Sequence, residues 1–220
     1  MWRRTGDAEA DRAARAARFV TLGAALLFLL VLTAWRPWEL FTRAGYSADF
    51  YDEQARSFLR GLLAVRPEVA TIEGFLVDGK TYLYYGPLLA LARLPFALID
   101  LPFDGAFAGR LAAASMVLAF VALCTATFHL GRIALSWWDG HRPERDRSHD
   151  HVRLAVLVAA VAASPALFLA GWISVYHETE LWAAAFALWA CVGALRLCAS
   201  DLPGRRDLVV ASASVVAATL

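Results

Sequence analysis

Gly86–Leu101 reads GPLLALARLPFALIDL, and whether this stretch crosses a bilayer decides the fold. It is apolar, but shorter than the roughly 20 residues that a transmembrane helix needs. Arg93 stands at its centre, and Pro87 and Pro95 interrupt it near its start and middle. A central arginine costs about 2.5–3.5 kcal/mol on insertion scales. The basic loops give a second criterion, because arginine-rich loops favour the cytoplasmic face. If Gly86–Leu101 does not cross, Arg132–Arg153 and Arg196–Arg206 both fall inside; if it crosses, both fall outside. The expectation is therefore a helix over 86–101 that lies in the outer interface, or is re-entrant into it.

The rest of the chain supplies the membrane around that helix. Of its 220 residues, 60% are apolar or aromatic, against about 45–50% in soluble domains. This reads as an all-α integral membrane protein with about four complete transmembrane helices and a partial fifth. The first span is 19–35, preceded by a basic cytoplasmic segment 1–18 that carries Arg3, Arg4, Arg12, Arg15 and Arg18. No A-x-A site follows its apolar core, so it reads as a retained anchor rather than a cleaved signal. The second span is 105–135, with a charge-free core at Leu111–Phe128. The third is 154–175, with Pro165 as a kink. The fourth is 181–198, with Arg196 at its end, where it can snorkel. Residues 208–220 begin a fifth, and the chain reads as the N-terminal portion of a larger protein. Loops 136–153 and 199–207 are expected inside, and an acidic turn at 176–180 outside. Trp35, Trp38, Trp137, Trp138, Trp172, Tyr176 and Trp182 mark span edges, as aromatic belts do.

The long outer loop, 36–104, holds three elements. An amphipathic juxtamembrane helix is expected at 49–65, with Phe50, Phe58, Leu59, Leu62 and Leu63 as its apolar stripe. Asp49, Asp52, Glu53, Arg56 and Arg60 fall on its other faces, and Gly61 weakens it. Such a helix would lie on the membrane surface. A small β-hairpin at 72–85 is marked by Asp78-Gly79, a strong turn signal. The interfacial helix 86–101 completes the loop.

A net charge of +1 gives no footprint for nucleic acid. Cys124, Cys191 and Cys198 lie in or beside apolar runs without metal-ligand spacing, and read as small buried hydrophobes. His141, His149 and His151 fall in a polar loop that reads as solvated.

Two acidic clusters face the same compartment on this topology: Asp49, Asp52 and Glu53 after the first span, and His177, Glu178 and Glu180 between the third and fourth. Charged groups at span ends inside a helical bundle are functional candidates. Carboxylates from both loops could share a hard divalent cation such as Mg or Mn, with Asp52, Glu178, Glu180 and His177 as its ligands. They could instead divide the roles of general base and electrostatic partner. The plainer readings are an Asp52–Arg56 pair one helical turn apart, and acidic residues favoured at a helix N-terminus with Thr179 as cap. Arg93 and Arg110 could hold a phosphate through their planar forks or snorkel to lipid headgroups. Tyr84 and Tyr85 could line a sugar or lipid site, or anchor the interface.

Three runs carry a resemblance: Ser47–Gly61, SADFYDEQARSFLRG; Ile72–Pro87, IEGFLVDGKTYLYYGP; and Val175–Trp182, VYHETELW. In their order along the chain they resemble the GT-C superfamily of membrane glycosyltransferases. The likeness is to its actinobacterial, Rgt-type and dolichyl-phosphate-mannose-protein mannosyltransferase-like groups, and it covers roughly residues 15–200. It implies transfer from a polyprenyl-phosphate-linked sugar on the outer membrane face, with the bilayer and that lipid as partners. It also implies an acidic residue of the first outer loop as base or metal ligand, here Asp52 or Asp49. A second acidic site would fall on Glu178, with Glu180 and His177 near it. The family's acidic residue lies earlier relative to the tyrosine of this helix, at the position held here by Ser47, so the choice between Asp49 and Asp52 stays open. A non-catalytic scaffold and a transporter of lipid-linked sugars are the alternative functions.

Overall fold

The computed structural model describes residues 3–70, 74–141, 148–199 and 205–219. Parts of the expected hairpin and of the loops 136–153 and 199–207 lie outside these residues. Three helices are long and apolar enough to cross a membrane, at Asp11–Leu32, Ala112–Gly140 and Val175–Cys198. They belong to α1 (Arg3–Leu32), α5 (Ala112–His141) and α8 (Val175–Ala199). A fourth crossing exists only if two bent pieces count as one. These are α6 (Asp150–Ala162) and α7 (Pro165–Phe168), the second continued by a 3-10 turn to Gly171, with a bend of 43° between them. Pro165 sits where its missing N–H is harmless, at the first turn of α7, and Ser164 caps that turn by accepting from the Ala166 N–H. The expected kink is thus a break between two helices. In α9 (Arg205–Thr219), the apolar stretch Leu208–Ala217 is too short to span.

Two boundaries move. Residues 105–111 form turns rather than the start of the second span, which begins at Ala112. The expected acidic turn at 176–180 is already helical, because α8 starts at Val175. Ser174, not Thr179, caps it, its Oγ accepting from the His177 N–H at 3.2 Å.

Helices α5 and α8 run parallel. Trp182 meets Ser115 near their starts, and Arg196 meets His129 three to four turns further on, both pairs being 67 residues apart in sequence. Phe28 of α1 stacks on Phe120 of α5 at 4.4 Å between ring centroids. Leu32 lies near the end of α1 and Ala113 near the start of α5, and both belong to the same core. The chain therefore leaves α1 and enters α5 at one end of the bundle, and the described residues between them pack over that end. The bundle core is built on Phe28, Met116, Phe120, Val158 and Leu181.

Within residues 33–111, α2 (Phe50–Leu59) packs on α4 (Leu88–Asp100), with the short α3 (Pro67–Ala70) between them in sequence. A two-stranded hairpin, β1 (Gly74–Val77) and β2 (Lys80–Leu83), is antiparallel with Leu76 opposite Thr81. The pre-α2 loop is tied to the start of α8: Tyr46 donates to the Ile173 carbonyl at 3.0 Å, and Val175 donates to the Tyr46 carbonyl at 3.2 Å.

The amphipathic helix differs from expectation in both length and polarity. It ends at Leu59 because Gly61 adopts a left-handed conformation (φ +71°). Gly61 donates to the Phe58 carbonyl and Leu62 to the Ser57 carbonyl, the hydrogen-bond pair of a Schellman cap. Gly61 therefore stops the helix rather than weakening it. The buried face carries Phe50, Tyr51, Asp52, Glu53, Gln54, Ala55 and Arg56, while Leu62 and Leu63 stay 52% and 72% exposed. Asp52, Glu53 and Arg56 are buried because each of them meets a counter-charge. This helix is not a surface helix resting on a leucine stripe.

Candidate functional site

The centre of the site is a buried triad of charges from three elements. Arg93 of α4 donates to Asp52 of α2 at 3.0 Å and to Glu178 of α8 at 2.5 Å. Asp52 takes a further bond at the same oxygen, Oδ2, from the Gly109 N–H at 2.7 Å. Around the triad, Tyr51 bonds Thr179 at 2.6 Å, and Thr179 also donates to the Val175 carbonyl. Trp182 donates to Ser115 at 2.9 Å. Two carboxylates and one guanidinium in a dry place survive only with such a shell of partners.

Burial pushes the Asp52 carboxyl up, against the opposing pull of Arg93 and the Gly109 N–H. Burial works against the charge on Arg93 too, but Glu178 and Asp52 outweigh it and hold the guanidinium above its ordinary value. Tyr51 is pushed up by burial as well.

A second ionic group adjoins the first. Arg56 pairs with Glu53, whose other oxygen meets Arg66 at 2.9 Å. Arg56 Nη1 also lies 3.5 Å from Asp100 at the end of α4. Asp100 accepts from the Phe107 N–H at 3.1 Å, which holds the loop after α4 against it. Gly105 in that loop has φ +83°, and a Cβ there would overlap the Arg56 guanidinium. Only glycine provides both the backbone conformation and the room.

Between α4 and the residues that follow it lies a cavity of about 300 Å³. Asp52, Arg56 and Asp100 form its polar part, Phe41, Phe96, Ile99 and Phe107 are among its apolar walls, and Arg110 lines it as well. The Arg110 guanidinium sits over the Phe107 ring, 5.4 Å from its centroid.

The residues singled out from sequence divide accordingly. Asp52, Arg93 and Glu178 come together, and Asp52 and Arg110 line the cavity. Asp49 instead forms an ion pair with the largely exposed Arg43 at 2.6 Å. Arg93 is committed to two carboxylates, so it does not act as an open phosphate ligand. The Asp52–Arg56 pairing is replaced by Asp52–Arg93 and Arg56–Glu53, because Arg93 reaches Asp52 from the facing helix. Glu180 is exposed on α8. His177 uses Nδ1 to bind the Trp172 and Leu169 carbonyls, which fastens the turn before α8. Tyr84 is exposed, whereas Tyr85 packs edge-on against Phe50 and Tyr176; neither lines the cavity.

The residues present do not assemble the expected divalent-cation site. The position between Asp52 and Glu178 that a cation would take is filled by the Arg93 guanidinium. Among the described residues, no group of three or more His, Cys, Asp or Glu side chains is arranged to hold a metal ion. Asp100 escaped the sequence reading. The lone carboxylate closing a helix that is apolar but for Arg93 was the available signal, together with the one-turn spacing of charges along α2.

No family model, curated protein or solved structure matches the chain.

Proposed function

We propose that the chain is a membrane glycosyltransferase of the GT-C kind. It transfers a sugar from a polyprenyl-phosphate-linked donor to an acceptor at the outer face of the cell membrane. One observation carries this reading. Asp52 is fixed through Oδ2 alone, by Arg93 and the Gly109 N–H, beside a cavity with polar and apolar sides. Oδ1 is then the oxygen left to accept a proton, and the upward push of burial makes Asp52 a stronger base than an ordinary aspartate.

The proposed step uses that arrangement. Asp52 takes the proton of an acceptor hydroxyl, and the acceptor oxygen forms a bond to the anomeric carbon. The bond from that carbon to the lipid phosphate breaks, and the phosphate leaves with the electron pair beside Arg110. Glu178 acts as a positioning residue, through Arg93, and touches neither substrate. Asp49, paired with Arg43 at the edge, is the weaker choice for the base.

The test is sugar transfer by the protein in proteoliposomes that contain a radiolabelled polyprenyl-phosphate hexose and membrane acceptors. Asp52→Asn is expected to lower transfer by roughly 100-fold or more, the usual scale for loss of a general base. Asp49→Asn is expected to leave most of it. Transfer that survives in a folded Asp52→Asn protein would falsify the assignment. A scaffold role is the second reading, favoured by the complete pairing of Arg93 with two carboxylates; it predicts no transfer by the unsubstituted protein.

A further inference from the structure

We infer that α5 and α8 hold the phosphate of an anionic phospholipid at the end of the bundle opposite Asp52, with Arg132 and Arg196 as its cations and the His129 Nε2–H as a further donor. The inference is independent of whether the chain transfers sugars. Its first support is position. Glu178, which meets the Asp52–Arg93 pair through Arg93, lies near the start of α8, and Arg196 lies near its end. The helix rises by about 27 Å between them, close to the thickness of the hydrocarbon core. At that depth Arg196 reaches His129 of α5 at 3.3 Å, so both helices present basic groups where lipid phosphates lie. The exposed Trp137 and Trp138 follow Arg132 on α5 within two turns, as interfacial aromatics do.

The second support is charge. A guanidinium only donates, so His129 Nδ1 accepts from Arg196 and the ring is neutral, with its proton on Nε2. That contact orients the Arg196 guanidinium without neutralising it. Arg132 is exposed, and among the described residues no carboxylate pairs with it. Its guanidinium folds back one helical turn over the Phe128 ring, 5.8 Å from the centroid, and that ring is 5.6 Å from the His129 ring. Snorkelling would carry Arg132 towards the near end of α5 instead. Two guanidinium groups at one depth repel each other; a phosphate removes that cost and accepts from both forks. The third support is the adjoining surface. Leu118, Val121, Thr125 and Phe128 form one stripe of α5 that runs from Arg132 towards the middle of the bilayer. Leu118 is 61% exposed and the other three are half-buried. Thr125 donates to the Val121 carbonyl at 2.7 Å, so its hydroxyl is already satisfied and its methyl is left for the lipid. An acyl chain fits along this stripe with its phosphate at Arg132, which favours a lipid over free phosphate.

The experiment uses the full chain in phosphatidylcholine nanodiscs that contain phosphatidylglycerol, and native mass spectrometry reads the lipid retained. Phosphatidylglycerol is expected to be retained in preference to phosphatidylcholine. Arg132→Gln, at an exposed position, is expected to weaken its retention roughly tenfold, the scale of one charge-assisted contact. Arg196→Gln is expected to weaken it as much; if that variant does not fold, Arg132→Gln decides alone. Arg153→Gln is the control. Arg153 stands at the same end of the bundle, next to Leu154, which packs against Gly131 of α5, but it pairs with Asp150 at 2.9 Å. Its substitution is expected to leave the preference unchanged. Equal retention of the two lipids overturns the inference. Equal weakening by Arg153→Gln and Arg132→Gln overturns it as well, because a diffuse basic surface then accounts for the preference. Displacement of the retained lipid by inorganic phosphate overturns the lipid as occupant in favour of free phosphate.

Discussion

Arg93 and Glu178 lie 85 residues apart in the chain and 2.5 Å apart in the fold. That contact joins the segment packed over the end of the bundle to a membrane-length helix, and it does so with buried charge. Arg93 is also the only guanidinium bonded to Asp52 among the described residues, so two carboxylates share one guanidinium.

Arg93→Met should therefore destabilise strongly, because it leaves two buried carboxylates uncompensated. Removing one partner of a buried pair costs about 3–5 kcal/mol. Adding Asp52→Asn and Glu178→Gln to Arg93→Met should recover much of the loss, since it removes the stranded charges. Unfolding in detergent of the single and triple variants measures both. A triple variant no more stable than Arg93→Met would mean that shape, not charge, holds this centre together.

Gly105→Ala should be worse than Gly61→Ala, although both glycines have positive φ. A left-handed alanine costs about 1–2 kcal/mol at either position. At Gly61 the new methyl meets open space, whereas at Gly105 it meets the Arg56 guanidinium. Arg56 would have to move, and its pairs with Glu53 and Asp100 with it. Equal losses of thermal stability in the two variants would show that Arg56 yields without cost.

Residues 33–111 should label from a single side of the membrane. Leu63, Lys80 and Ser148 are exposed, and they provide accessible positions where Asp52 and Glu178, both buried, do not. In a protein without its native cysteines, Leu63→Cys and Lys80→Cys should react with an impermeant maleimide from one side. Ser148→Cys, beyond the far end of α5, should react only from the other. Labelling of Leu63→Cys and Ser148→Cys from the same side would mean that α4 crosses the bilayer.

The raised Asp52 carboxyl has a defined consequence for pH. Between the ordinary aspartate value of about 4 and its higher value in the fold, the folded state holds more protons than the unfolded state. The contribution of Asp52 is then fully present below that ordinary value and is lost as pH rises through the higher one. The unfolding temperature of the unsubstituted protein should fall relative to Asp52→Asn as pH rises from 4 upward. A difference that stays constant across the range would show that Arg93 cancels the effect of burial.

Much of the frame was legible in the residues because it depends on local chemistry. Long charge-free runs mark α1, α5 and α8 as membrane-length helices, since length and apolarity are the membrane's own requirement. Asp78-Gly79 marks the hairpin, because both residues tolerate the positive φ that its turn uses. The apolar run of 86–101 marks a helix, and α4 packs against α2.

What only the tertiary structure decided is which side of α2 faces inward. Its leucines have the periodicity of a buried stripe, yet Leu62 and Leu63 lie past a glycine stop and outside the core. Its charges look like a solvated face, yet Asp52 and Glu53 are buried. A charge reads as solvent-facing unless its partner is known, and the partners here come from distant elements: Arg93 is 41 residues from Asp52, and Glu178 is 85 from Arg93. Coulomb attraction acts through space and leaves no period in the sequence, so the composition determined a membrane bundle, and its folding alone determined where the buried charges meet.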